Sequence, residues 1–392
     1  MRSSKARTGT RAECRYYIRV RTIAATICWG LAALTGTTLP QAPPTPPPAA
    51  HHGKSVPVPP AKFEQQWTIP LDAAERVTLA RGAASFFLAS EHGPLVARAL
   101  DDGHVLWSFD AGADVRVATS DDLIFVPHGE TLDAVEQATG HKRWTAAIDP
   151  LAAAPTWRDG WVFAGTKKGS IIALRADDGS KVWERPLGSP VASMIAVDGE
   201  QLFAALADKR LIALRLDDSG SVAWTNDELD AVGGEILAVA DRLYVGHAGG
   251  VFFSVRQDNG RDDWVHELIR SRIVGRAVAD EAHVYVATGD NRAIALDRSS
   301  GTIRWKNVLL ARPGEALMLE SKQLIVPLAS GAITIFDAEG KQIANIDPPA
   351  AEAVSLVPPV ILAGPPDKPQ LIRVTMGTDQ VQTVTSYKRK TG

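Results

Sequence analysis

The chain has 392 residues, of which 45% are hydrophobic and 22% charged, with a formal net charge of −3. Its length allows a large core and roughly two or three domains, while the charge balance offers no basic footprint for nucleic acid. Both cysteines, Cys14 and Cys28, lie at the N-terminal end. The rest of the chain therefore has no disulfide framework, cysteine zinc site or thiol nucleophile, which suits an oxidising compartment.

In chain order, Lys5, Arg7, Arg11, Arg15, Arg19 and Arg21 precede an apolar run over residues 23–34. A charged n-region followed by an apolar h-region is the order of a secretory signal, and the run is shorter than the ~20 residues of a comfortable membrane span. Residues 1–36 are read as a signal peptide. A retained signal anchor is the alternative, because no clean small-x-small cleavage triplet stands near Gly36. Cys28 follows Ile27 where a lipoprotein motif wants a small residue, so it is assigned to the h-region. These features predict an exported, periplasmic protein that meets the membrane only through its N-terminal segment. Residues 37–62 are rich in proline and alanine and read as a disordered, semi-rigid linker. The pair His51–His52 within it is taken as solvated and not as a metal site.

From residue 63 to residue 387 the chain is periodic. Trp67, Trp107, Trp144, Trp183, Trp224, Trp264 and Trp305 follow one another at steps of 40, 37, 39, 41, 40 and 41 residues, and Ile343 continues the series. Four residues before each tryptophan from Trp107 onward stands a glycine: Gly103, Gly140, Gly179, Gly220, Gly260 and Gly301, and Gly340 precedes Ile343. A third marker, Phe87, Phe125, Phe163, Phe203, Tyr244, Tyr285 and Ile325, recurs at steps of 38, 38, 40, 41, 41 and 40. Between the markers, apolar residues alternate with period two, as in half-buried strands. Turns such as Asp101-Asp102-Gly103 supply the positive φ of tight hairpins. Four short strands per unit of about 40 residues make one propeller blade.

The expectation is an all-β, eight-bladed β-propeller of four-stranded antiparallel sheets, with seven blades as the alternative count. Tail strands are expected at 354–357, 360–362, 371–374 and 381–385, and the strand at Trp67 is expected to pair with them and close the ring. Residues 388–392 read as a basic tail.

The run from Ala295 to Trp305, Ala-Leu-Asp-x-x-x-Gly-x-x-x-Trp, resembles the repeat of the pyrroloquinoline-quinone (PQQ) enzymes, and Thr139-Gly140 with Trp144 carries the Thr-Gly version. The resemblance covers roughly residues 63–385 and implies a member of the PQQ-like propeller family. That family holds quinoprotein dehydrogenases and also cofactor-free, BamB-like propellers of the outer-membrane barrel-assembly machinery. The dehydrogenases are longer and carry a vicinal cysteine pair and calcium ligands, which this repeat region does not offer. The BamB-like group is the better match in size, implying no cofactor and a protein partner in the cell envelope.

No catalytic, cofactor-binding or metal-ligating residue is singled out. The paired aspartates at hairpin turns are read as backbone caps. The seven tryptophans and their glycines are read as the packing between blades. Trp157 and Trp161 stand outside that series and are weighed as ligand contacts. The candidate interface is Leu268, Ile269, Arg270 and Arg272 after Trp264, with Leu310 and Arg312 after Trp305, since apolar residues beside arginine are enriched at protein–protein hot spots. The reading is a non-catalytic, monomeric protein-binding scaffold. A small quinoprotein oxidoreductase and the ectodomain of a membrane-anchored sensor stay open as alternatives.

Overall fold

The computed structural model describes residues 62–390 apart from 72–76, 83, 92, 111, 113–115, 218, 228–234, 248, 268–270, 348–359, 364–369 and 378–380. The leader, the proline-rich segment, both cysteines and the expected strand at 354–357 lie outside the described residues.

The described residues form eight four-stranded antiparallel sheets, each one blade of a propeller. Blades 1 to 7 occupy residues 77–109, 118–147, 156–186, 196–226, 237–267, 273–308 and 318–346, and in each the strands follow in chain order from the ring axis outward. Blade 8 takes its inner three strands from the C-terminal end (Val360–Ala363, Gln370–Met376, Gln382–Lys390) and its outermost from Lys62–Leu71. That N-terminal strand pairs with the last one from Lys62↔Lys390 to Leu71↔Gln382. Residues 388–390 thus belong to a strand that leaves no gap in the ring.

One side-chain layout recurs. In blade 3, Phe163 on the second strand, Ala173 on the third and Trp183 on the outermost are register partners. Strands lie ~4.8 Å apart, so rings two strands away would not meet unless the residue between them were small. Alanine or serine stands there in blades 1 to 6, and the aromatic rings lean together with centroids 5.8–6.2 Å apart. A β-bulge just before each tryptophan restores the register, as between Ala173 and Leu174.

Each tryptophan docks onto the third-to-fourth-strand turn of the next blade. A Cβ on Gly179 would stand 2.6 Å from Trp144 Cε3, and at φ +73° the turn needs glycine on backbone grounds as well. The indole N–H of Trp144 then donates to the Ala176 carbonyl at 2.9 Å. Trp67, Trp107, Trp224, Trp264 and Trp305 make the equivalent bond. Trp183 does not: its indole nitrogen is buried without a partner, because the turn after Arg215 has one residue more than its counterparts before reaching Gly220. Trp144→Phe should therefore cost about 1 kcal/mol more than Trp183→Phe in urea unfolding, since only the former strands a buried carbonyl.

The structure corrects the marker at Ile343. Ala344, not Ile343, is the register partner of Ile335 and occupies the tryptophan position of blade 7. A tryptophan there would dock on the third-to-fourth-strand turn of blade 8. Those two strands come from opposite ends of the chain and are joined by no turn. Within the blade, Ile325 and Ile335 supply the volume that Phe, Ala and Trp share elsewhere.

Candidate functional site

Antiparallel strands put two sets of loops on opposite faces of the ring. One face carries the connections between blades and the second-to-third-strand turns; the other carries the first-to-second and third-to-fourth turns.

On the first face, the candidate residues Leu268, Ile269 and Arg270 lie outside the described residues. Arg272, Leu310 and Arg312 are described: Arg272 and the residue before Leu310 bond the blade 6 turn at 289–291, and Arg312 bonds the corresponding turn of blade 7. The Arg272 carbonyl accepts from Gly289 N at 2.9 Å, and Leu309 N donates to the Asn291 carbonyl at 2.8 Å. Leu309 is buried and anchors its connection, while the next residue, Leu310, is 86% exposed. Val308 on the same strand end is 73% exposed.

Arg272 and Arg312 hold equivalent repeat positions. The carbonyls of Pro150, Pro190, Arg272 and Arg312 each accept a backbone N–H from the following blade, from Lys167, Ala207, Gly289 and Ala329 respectively. Blades 3 and 4 thus present proline where blades 6 and 7 present arginine. Both arginines are exposed, and neither side chain has a hydrogen bond or ion pair among the described residues. The register that equates them is set by backbone bonding, which sequence spacing alone does not display.

On the opposite face, the aspartates cap the hairpins. Asp178 accepts from Ser180 N at 2.8 Å, and Asp297 accepts from the backbone amides of both Ser299 and Ser300. Hydrogen bonds from Ser299 and then Arg304 hold the Asp297 carboxyl well below the usual carboxylate range. A depressed folded-state pKa adds stability above the unfolded value near ~4 and loses it as pH falls through the folded value. Asp297→Asn should therefore be less stable than the parent at pH 7, with the gap closing in acid denaturation below about pH 4.

The same face holds a cleft of 360 Å³ between blades 2 and 3. Its walls are the turn Ser120-Asp121-Asp122, Arg143, the hairpin from Trp157 to Trp161, and Arg175 to Asp177. Both off-series tryptophans border it. Arg143 bridges Glu136 at 3.2 Å and Asp122 at 3.1 Å, and these bonds, Glu136 first, raise its pKa. Arg175 lies over the Trp161 ring, 5.9 Å from its centroid.

The repeat region lacks cysteine. Among the described residues the one grouping that could hold a metal is Asp101, Asp102 and His104, an exposed turn away from the ring axis whose Asp102 already binds His104 at 2.6 Å. Near the axis, burial raises the Glu235 carboxyl, opposed by Arg276 and reinforced by Glu315. His247 sits in a second-to-third-strand turn and accepts from Gly249 N at 2.8 Å.

Comparison with known proteins decides between the two groups that share this repeat. The family model described as outer membrane protein assembly factor BamB matches residues 128–274 and 269–353, more than half of the chain. The chain belongs to the BamB family. A BamB of Shewanella oneidensis is 26% identical over 258 residues, a match covering 59% of this chain and 62% of that protein, so less than two thirds of the relative is spanned. The crystal structure of BamB from Moraxella catarrhalis superposes with a TM-score of 0.65 at 19% identity, over 83% of this chain and all of that one. A quinohemoprotein alcohol dehydrogenase from Comamonas testosteroni scores 0.63 at 12% identity, covering 84% of this chain and 77% of that one. At such identities both superpositions report the shared propeller and nothing about chemistry.

Proposed function

We propose that this BamB-family chain is a non-catalytic, monomeric scaffold of the periplasm that docks a protein of the barrel-assembly machinery through the connection face of blades 5 to 7. The observation that carries the surface is Leu310, 86% exposed, on the same connection as Arg312, with Arg272 at the equivalent position of the preceding connection. An exposed leucine with uncommitted guanidinium groups nearby is the composition of a protein–protein hot spot, and it suits a partner patch that is apolar with carboxylates around it. Family membership supports the choice of machinery. The leader at 1–36 and the linker at 37–62 would deliver the propeller across the inner membrane and hold it clear of a surface.

Crosslinked capture from the native envelope tests this reading. The parent protein should recover barrel-assembly components, and a triple variant Arg272→Glu, Leu310→Asp, Arg312→Glu should lose at least about tenfold of that recovery, with its thermal unfolding unchanged because all three side chains are exposed. Capture by the parent that contains no barrel-assembly component rejects the function. Equal capture by parent and variant rejects the surface.

A further inference from the structure

We propose that the cleft between blades 2 and 3 is a second binding site, on the face opposite Leu310, for an extended protein segment that inserts an arginine or lysine side chain. Two observations converge on it.

The first is that the blade repeat does not call for Trp157 and Trp161, although both pack on neighbouring cores and Trp161 stacks on Phe163 with ring centroids 6.1 Å apart. Trp157 pairs with Val162, and the positions in the same register of blades 2, 4, 5 and 7 hold Thr119, Val197, Ala238 and Leu319. Trp161 pairs with Arg158, where blades 4, 5 and 7 place Gln201, Arg242 and Gln323. The innermost hairpin thus folds with small, aliphatic or polar residues at these two places. Blade 3 alone among the described blades puts two indoles there, both half-buried and both bordering the cleft. Trp157 packs against the core shared by blades 2 and 3, so it forms a wall between them.

The second is the charge around that wall. Four carboxylates line the cleft, Asp121, Asp122, Asp159 and Asp177, against the two cations Arg143 and Arg175. Asp122 is bound by Arg143 at 3.1 Å and Asp159 by Arg158 at 2.8 Å. Asp121 and Asp177 have no hydrogen bond or ion pair among the described residues, and they come from different blades. An aromatic wall between two uncommitted carboxylates recognises a cation on a slender apolar stem: the stem packs on the indole, the charge meets the ring face and the carboxylates. With Arg175 over the Trp161 ring as its remaining cation, the cleft stays net negative through Asp121 and Asp177, which disfavours an acidic segment. The site is independent of the barrel-assembly reading, because it uses no residue of the connection face.

The test uses the full chain and two synthetic heptapeptides, Gly-Ser-Leu-Arg-Leu-Ser-Gly and its Glu-for-Arg counterpart, in low-salt calorimetry with indole N–H resonances followed in parallel. The arginine peptide should bind and shift the resonance that disappears in Trp157→Phe, and the glutamate peptide should not bind. The double variant Asp121→Asn, Asp177→Asn should weaken binding about tenfold and abolish its salt dependence. Absence of binding, equal binding of the two peptides, a shift confined to other indoles, or unchanged affinity in the double variant would each overturn the proposal. Both aspartates sit on exposed turns, and the peptide charge swap probes the same carboxylates with no substitution in the protein.

Discussion

Gly275→Ala should destabilise the propeller by about 4 kcal/mol or more, lowering its thermal midpoint by roughly 6 °C, whereas Gly160→Ala should cost about 1–2 kcal/mol. The two glycines have similar backbones, with φ +67° and +83°. They differ in what surrounds them. A Cβ on Gly160 meets nothing within 4 Å, but one on Gly275 would fall on the carbonyl oxygen of Glu315 and stand 2.7 Å from its Cα. The innermost strand of blade 6 is irregular here, with its register shifting between Val274 and Val278. This lets Arg276 form a backbone bridge to Ala316, beside blade 7. Relief of the overlap would have to come from moving two blades apart, because backbone atoms cannot rotate away as a side chain does. Urea and thermal unfolding of the two variants side by side separate the dihedral cost from the steric one, and equal losses would show that the blades yield.

Arg373→Ala should cost about 3–5 kcal/mol, and Arg373→Met noticeably less. Arg373, on the second strand of blade 8, is 0% exposed. It donates to the carbonyls of Gly331 at 2.7 Å and Asp347 at 3.1 Å, both in blade 7 or its exit, bonds the Tyr387 hydroxyl, and lies over the Tyr387 ring. Burial pushes its guanidinium below the usual value and Tyr387 pulls it back. This is the junction where Ala344 replaces the docking tryptophan, so the arginine ties together two blades that lack the contact used elsewhere. Methionine keeps the packing and loses the bonds; alanine loses both and leaves two carbonyls short of a donor. Unfolding in urea, combined with limited proteolysis of the closing blade, checks this. A methionine variant as stable as the parent would mean that the polar bonds add nothing beyond the volume they fill.

The blade repeat is legible in the amino-acid order because its determinants are local. A strand of alternating apolar residues, a turn ending in glycine and a tryptophan four residues on are all within one hairpin, so period two and a fixed offset suffice to find them. Trp107, with Gly103 of its own turn and Phe87 of its own blade, can be read this way. The partner of that glycine cannot: Gly103 is glycine because Trp67, from the far end of another sheet, lies on it. The small residue between the rings, such as Ala97 or Ser254, is hidden for a similar reason, since its size matters only once three strands stand side by side.

The candidate surfaces divide along the same line. The exposed Leu310 and Arg312 after Trp305 stand out as a local run of unusual composition. That Arg272 and Arg312 are equivalent depends on which carbonyl each blade's turn bonds, and that bonding exists only after strands pair. Likewise, Trp157 and Trp161 are visible as tryptophans off the period, but Asp121 and Asp177, 56 positions apart in the chain, meet them only because adjacent blades turn their loops to one face. Amino-acid order alone thus settled the strand period and the kind of repeat. The tertiary structure decided how the ring closes, why its seventh junction has Ala344 and Arg373 in place of a tryptophan, and which loop residues share a surface. Local patterning specifies each blade, and contacts between residues distant in sequence arise only from stacking the blades in a closed ring.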